Sequence, residues 1–214
     1  NSSGAFTGLS GTGKIVATYL TDSSGNVLTT DVSTGLTFSS TYAAPDGSSI
    51  VNPLTSLIAA QLSSSTATAT EIAAAQTKVL ASLGVTLPTG SSLLTYDPLA
   101  VSSDSATAWA TAVAVQKVAA QVANTIQVLA SAATGTDTSM SNATAGMAAL
   151  TALASTVSAG TTIDLSSSTS ISSIGSTMTN TLVSAGTWTA ANGALVSGQV
   201  TAAATSLATI NTAI

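Results

Sequence analysis

The chain changes character at one point, the pair Asn52-Pro53. Asparagine is a favourable helix N-cap, and proline fits the first helical position, where its missing N–H costs nothing. Large apolar residues then recur at helical spacing: Leu54, Leu57, Ile58 and Leu62. A helix is therefore predicted to begin here, with short strands before it and helices after it. We expect an α+β fold that is mainly α, with a β-strand region at 1–48 and a helical domain at 49–214.

The β-strand region is predicted to contain three or four short strands. Residues with high β propensity occupy 14–20, 27–30 and 36–42, and turn-forming residues lie between these stretches. So few short strands bury little surface and leave their edges open. We therefore expect another chain, residues outside this sequence or the helices to complete the sheet.

Helices are predicted at 54–62, 68–83, 105–133, 139–159, around 171–182 and at 190–214. Thr68 and Glu71 fit a capping box. The stop signals after four of the helices are Gly84, Gly135, Gly160 and Gly186. Alanine between the larger residues indicates an antiparallel bundle of closely packed helices, in which Gly193 and Gly198 would permit close approach.

Several apolar side chains are predicted to face the core of this bundle. Trp109 and Trp188 are interpreted as core anchors because of their size. The stripes of the last three helices comprise Met147, Leu150, Leu153 and Val157; Ile171, Ile174, Met178 and Leu182; and Val196, Val200, Leu207, Ile210 and Ile214.

The scarcity of ionisable residues excludes much chemistry. Only 5% of residues are charged, with three lysines, eight acidic residues, no histidine and no cysteine. Ser–His–Asp and Cys–His catalysis and the usual zinc sites are therefore impossible within this chain. A nucleic-acid partner is not expected, because neutralising phosphates takes a cluster of basic residues. We expect no enzyme; catalysis would require two of the carboxylates to come together.

The stretch from Leu165 to Ile214 contains no formal charge over 50 residues. Charge repulsion normally keeps proteins apart, so a surface this neutral favours self-association. We expect a homo-oligomer or polymer, with other surface proteins as further partners, in an extracellular or cell-surface setting. A membrane span is not expected, since no run of 18 apolar residues free of polar side chains occurs.

Two short motifs suggest ligands. Gly8-Leu9-Ser10-Gly11-Thr12-Gly13-Lys14-Ile15 resembles a phosphate-binding loop, but an isoleucine replaces the magnesium-binding hydroxyl and a strand is predicted to follow. The turn at 22–26 has oxygen ligands at alternate positions, so Asp22, Asn26 and Asp31 are candidate calcium ligands. The alternatives for that turn are a calcium site and a purely hydrogen-bonded turn; no other cofactor is expected.

Three further motifs follow one another along 30–99. They are Thr-Asp-Val-Ser-Thr-Gly-Leu-Thr-Phe at 30–38, Asn-Pro-Leu-Thr-Ser-Leu at 52–57, and Leu-Gly-Val at 83–85 followed by Tyr-Asp-Pro-Leu at 96–99. Together they resemble the junction between a β repeat and a helical segment in large secreted bacterial surface proteins of the adhesin type. The first motif differs from the family pattern by one extra residue on each side of its glycine.

The resemblance implies a secreted or cell-surface context and no known catalytic residues. With the neutral composition, it favours a non-enzymatic structural subunit or module of a bacterial surface assembly, such as a filament, surface layer or adhesin. The alternative hypothesis is a calcium- or carbohydrate-binding surface module.

Overall fold

A computed structural model describes residues 9, 11–30 and 40–214. Two strands, β1 (Ile15–Ala17) and β2 (Tyr42–Ala44), precede six helices in these ranges. The helices are α1 (Pro53–Gln61), α2 (Ala69–Leu83), α3 (Ala106–Thr136), α4 (Asn142–Ser158), α5 (Ser168–Ser184) and α6 (Ala190–Ala213), with a 3-10 turn at Pro98–Ala100 before α3. A mainly helical fold with a small sheet is what the sequence predicts.

The small sheet contains fewer strands than expected. The sheet formed by the described residues contains only the antiparallel pair β1 and β2, and isolated bridge residues occur outside it at Thr21, Val27 and Thr30, so the prediction of three or four strands is wrong for these residues. Leu28 N–H donates to Leu20 O at 2.8 Å, but Leu20 N–H donates to the Thr29 hydroxyl at 2.7 Å. At this point a side chain thus replaces the strand partner of Leu20.

The third predicted strand, 36–42, is described only in part. Residues 36–39 lie outside the described ranges, and Tyr42, its last residue, begins β2. In the sheet, Ile15 pairs with Ala44 and Ala17 with Tyr42. The strand therefore begins where the sequence predicted its end.

Hydrogen bonds from α1 attach β2 to the helices. Ala43 N–H donates to Ser56 Oγ at 2.9 Å, and Ala43 O accepts from Ser56 Oγ at 3.1 Å and from Thr55 Oγ1 at 3.2 Å. Both side chains are fully buried in the first turns of α1. Asn52 caps this helix as predicted, since its Oδ1 accepts from Thr55 N–H at 2.9 Å. The division between 1–48 and 49–214, which these bonds cross, stays a prediction.

The helix boundaries follow the predicted signals, with one exception. Thr68 and Glu71 form the predicted capping box at the start of α2. Gly84, Gly160 and Gly186 follow α2, α4 and α5 with the positive φ values typical of helix ends, 63°, 74° and 71°. Gly135 was expected to end α3, but it keeps a helical conformation and the helix continues to Thr136.

Neighbouring helices in the bundle are antiparallel where their contacts fix the direction. Gly175 of α5 faces Val200 of α6, whereas Val183 faces Gly193. The order of contacts is reversed in the same way between α3 and α4, where Thr134 contacts Asn142 and Ile126 contacts Gly146. Between α3 and α6, Gly135 contacts Gln199 and Gln121 contacts Asn211.

Most predicted core residues are buried, but four are not. Trp188 is buried as expected, and α5 buries its whole predicted stripe. The exceptions, all exposed, are Trp109, Met147, Ile210 and Ile214. On α4 the reason is clear: Ala145, Ala149 and Ala152 occupy the inward face. Small side chains let helices approach closely, so these alanines rather than Met147 form the interface.

Candidate functional site

Asp22 and Asn26, two of the three predicted calcium ligands, lie in one turn. Asp22 Oδ1 accepts from the backbone N–H groups of Ser24 and Asn26, both at 2.8 Å, and Asp22 Oδ2 accepts from Asn26 Nδ2 at 2.9 Å. These bonds, the one from the Asn26 side chain above all, hold the pKa of Asp22 below its usual range. The Asp22 carboxylate thus stabilises the turn in which it lies, a common role of aspartate.

Asp31, the third predicted ligand, lies outside the described residues. Within the described ranges, no three carboxylate, histidine or cysteine side chains form a group that could hold a metal ion. Calcium takes about six to eight oxygen ligands, so Asp22 and Asn26 would need additional donors. Calcium binding at Asp22, Asn26 and Asp31 stays a prediction.

The stretch that resembles a phosphate-binding loop leads into a strand, as the sequence predicts. Lys14 directly precedes β1, and its Nζ donates to Ala59 O at 2.9 Å. In a phosphate-binding loop, a helix N-terminus would follow and contribute to the phosphate grip. Here the lysine instead connects the β-strand region to the carboxyl end of α1, where a cation is favoured by the helix dipole.

Other carboxylates also accept hydrogen bonds, mostly from residues two or three positions away. The pairs are Glu71 with Thr68, Asp97 with Leu99, Asp104 with Ser102, Asp137 with Ser139 and Trp188, and Asp164 with Ser166. The Thr68 backbone N–H lowers the pKa of Glu71, and serine hydroxyls lower the pKa values of Asp137 and Asp164. A general acid would need a raised pKa. Glu71, Asp137 and Asp164 are instead stabilised in their ionised form by these hydrogen bonds.

The stretch without formal charge forms α5, α6 and the turns around them. We define the outward faces of these two helices as the α5–α6 surface. Its exposed residues are mostly small or hydroxylated: Thr169, Ser173, Ser176 and Asn180 on α5, and Ala191, Leu195, Gly198, Ala202, Thr205 and Thr209 on α6. A shallow groove of about 480 Å³ between the helices is lined by Ser176, Asn180 and Ser197 among others. This surface offers hydroxyls, amides and methyl groups, but no acid or base.

Several hydroxyl groups on the α5–α6 surface are already bonded to backbone carbonyls of their own helices. The bonds are Ser176 Oγ to Ser172 O at 3.0 Å, Thr201 Oγ1 to Ser197 O at 2.9 Å, and Thr209 Oγ1 to Thr205 O at 3.0 Å. Burying a hydroxyl costs free energy unless it has a hydrogen-bond partner. These groups keep their partners when water is removed, a property that the composition alone did not reveal.

The β-strand region presents an apolar surface of its own. Exposure alternates along 14–20, with Val16, Thr18 and Leu20 more exposed than the residues between them. Because Thr21 pairs with Val27, Leu20 lies opposite Leu28, which is also exposed. Adjacent exposed apolar side chains are typical of interaction sites.

Within the described part of the chain, no helix combines the length and the apolar character needed to span a membrane. Comparisons with family models, with curated proteins and with solved structures found no match to this chain.

Proposed function

We propose that the protein is a non-enzymatic structural subunit or module of an extracellular bacterial surface assembly, such as a filament, a surface layer or an adhesin. It acts through self-association. The α5–α6 surface is the observation that carries this proposal, because two adjacent helices expose no formal charge along their length. Copies of the protein can therefore approach each other there without charge repulsion.

The hydrogen bonding of this surface supports the same role. A protein interface must remove water from its polar groups, and each group left without a partner costs free energy. Hydroxyls such as those of Ser176 and Thr201 retain their helical carbonyl partners on burial. These hydroxyls therefore lower the cost of removing water from a surface that carries no formal charge.

The β-strand region supports an assembled state as well. Val16, Leu20 and Leu28 expose apolar side chains next to a sheet of only two strands. Sheets this small are marginal by themselves, and pairing with a neighbouring molecule would extend them. The resemblance of 30–99 to adhesin junctions supports an extracellular bacterial setting.

The test is whether the protein assembles and whether added charge on α6 prevents it. Size-exclusion chromatography with light scattering, over a wide concentration range, and electron microscopy should show oligomers or polymers. Ala202→Lys combined with Ser206→Lys adds two charges one helical turn apart at exposed positions. We expect this variant to assemble less, because the like charges repel across the interface.

Ala73→Lys combined with Ala74→Lys is the matched control. It adds the same charge to exposed positions on α2, where Glu71 and Lys78 already make the surface charged. A wild-type protein that remains monomeric at high concentration contradicts the proposal. Equal loss of assembly in both lysine pairs would show that net charge, rather than the α5–α6 surface, is responsible.

The alternative function is a calcium- or carbohydrate-binding surface module. The observation in its favour is that Asp22 and Asn26 lie side by side in an exposed turn. Calorimetric titration of the EDTA-treated protein with calcium, and separately with simple glycans, distinguishes the two functions. Tight binding by a monomer would favour the alternative, whereas assembly without ligand would favour the structural role.

A further inference from the structure

The first three turns of α3 carry an apolar face directed away from the core. Trp109 and Val113 are 47% and 48% exposed, and Leu99, in the turn that precedes the helix, is 53% exposed. At about 100° per residue, Trp109 and Val113 lie about 40° apart around the helix. Val115, which is buried, lies about 160° from Val113. The exposed face is therefore opposite the core face.

An exposed tryptophan next to an exposed valine leaves a large apolar area in water. Tryptophan is among the side chains most enriched at the centres of protein interfaces. The neighbouring exposed positions on this face, Ala106 and Ala110, are small and would allow another helix to come close. We define Ala106, Trp109, Ala110 and Val113 as the α3 face.

Opposite charges flank the α3 face at nearly equal distances. Asp104 lies seven residues before Thr111, and Lys117 lies six residues after it, with no charged residue between them. Trp109 and Val113 each lie two residues from Thr111. Asp104 lies in the turn just before Ser105, the N-cap of α3, and Lys117 lies about three turns into the helix. Neither forms an ion pair with another described residue.

This order of charges selects both the partner and its direction. If two copies of α3 pack antiparallel, level at Thr111, Asp104 of each copy comes next to Lys117 of the other. Trp109 of each copy then comes next to Val113 of the other. A parallel arrangement would place like charges together, which costs free energy. The complement of the α3 face is therefore the same face, reversed.

We propose that two copies of this protein form a two-fold symmetric dimer through the α3 face, with the helices antiparallel about an axis level with Thr111. Such an interface is isologous: each contact occurs twice, and the dimer is closed. The proposal rests on the self-association proposed above but uses a surface separate from the α5–α6 surface. The α3 face then makes the dimer, and the α5–α6 surface joins dimers into larger assemblies.

Charge reversal tests the pairing. Asp104→Lys alone or Lys117→Asp alone places like charges together twice per dimer, and we expect the dimer dissociation constant to rise about tenfold. The double variant Asp104→Lys with Lys117→Asp restores opposite charges, and its dimer dissociation constant should return close to the wild-type value. Sedimentation velocity at a range of concentrations measures all three. A double variant as weak as the single ones overturns the proposal.

Removal of the apolar anchor provides a second test. Trp109→Ala should weaken the dimer at least about thirtyfold, since two central anchors are lost. The matched control, Met147→Ala, removes an exposed apolar side chain from α4 and should leave the dimer constant unchanged. Circular dichroism and the melting temperature check that each variant is folded. An unchanged dimer constant in folded Trp109→Ala overturns the proposal.

Cross-linking tests the position of the axis. Because the natural chain has no cysteine, Ala110→Cys introduces a single thiol one residue from the axis level, and a short bis-maleimide should join two copies efficiently. Ala73→Cys on α2 is the control and should give little product. Equal cross-linking of both variants overturns the proposal.

The two proposals can fail separately. If the α6 lysine pair removes large assemblies and Trp109→Ala changes nothing, the α3 dimer is wrong while the structural function stands. If the wild-type protein is a monomer at every concentration, both are wrong.

Discussion

Two glycines determine how closely α5 and α6 approach each other. A Cβ on Gly175 would lie 2.3 Å from Val200 Cγ1, and a Cβ on Gly193 would lie 2.7 Å from Val183 Cγ2. Neither glycine has a positive φ, so space rather than backbone conformation requires them. Gly198 differs, because a Cβ there would meet nothing within 4 Å.

Alanine substitutions at Gly175 and Gly198 should have opposite effects. Gly175→Ala forces the helices apart or displaces Val200, and we expect a loss of about 1–3 kcal/mol in the free energy of unfolding. Gly198→Ala relieves only the entropic cost of a helical glycine and should add up to about 1 kcal/mol. Urea denaturation measures both, and Val200→Ala in the Gly175→Ala background should recover part of the loss. Equal effects at the two glycines would contradict this account.

A single hydrogen bond between Asp137 and Trp188 connects the end of α3 to the turn before α6. Trp188 is buried, and its Nε1 donates to Asp137 Oδ2 at 3.0 Å. Asp137→Ala should lower the melting temperature, because the indole N–H loses its partner. Asp137→Asn retains an oxygen acceptor and should lower it less. Thermal unfolding of the two variants measures the difference. Equal losses of melting temperature would show that the hydrogen bond from the Trp188 indole is not the reason for the stabilisation.

At the scale of helices and strands, local chemistry was predictable and packing was not. Asn52 and Thr68 mark helix starts because a cap bonds to residues within one turn of it, so the sequence contains the whole interaction. Gly135 did not end α3, since a glycine stops a helix only where the chain needs a left-handed conformation. The strand pairing was overestimated because it depends on hydrogen bonds between distant residues, such as the one from Leu20 N–H to Thr29.

The same distinction applies to the candidate surfaces. The absence of charge over 165–214 is visible in the sequence. The close packing of α5 against α6 depends on the contact between Gly175 and Val200, and no pattern in the sequence shows that these two residues meet. Trp109 was predicted to be a core anchor because its size suggested burial. Its exposure depends on which face of α3 the buried residues Ala112 and Val115 occupy, and that is a property of the packed bundle.

Asn211 connects three elements through polar bonds inside the bundle. This fully buried residue of α6 donates through Nδ2 to Leu165 O at 2.8 Å and accepts at Oδ1 from Asn124 Nδ2 of α3 at 3.3 Å. Satisfied buried polar groups of this kind fix the alignment of helices.

Asn211→Leu should therefore destabilise the protein although it adds apolar volume. It leaves the Leu165 carbonyl and the Asn124 amide without this partner, and we expect a loss of about 1–3 kcal/mol in the free energy of unfolding. Asn180→Leu, at an exposed position of α5, is the control and should cost little. Urea unfolding at low protein concentration compares them. A stabilised Asn211→Leu variant would show that the amide contributes no net stability.

For the whole molecule, scarce ionisable groups limit how stability responds to pH. The chain has no histidine and no cysteine, so side chains that ordinarily titrate between about pH 5 and 8 are missing. The carboxylates with shifted pKa values all shift downward: Asp22, Glu71, Asp137 and Asp164. In each case, hydrogen bonds that stabilise the ionised carboxylate lower its pKa.

A lowered pKa in the folded state fixes the sign of the pH dependence. Such a group stabilises the fold fully above its unfolded pKa, near 4, and this contribution is lost as the pH falls towards the folded pKa. We therefore expect the melting temperature to be constant between about pH 5.5 and 7 and to fall below about pH 4. Glu71→Gln should lower it at neutral pH, and the difference from the wild type should shrink with acidification. A melting temperature that changes between pH 5.5 and 7 would contradict this expectation, because the four carboxylates stay ionised throughout that range.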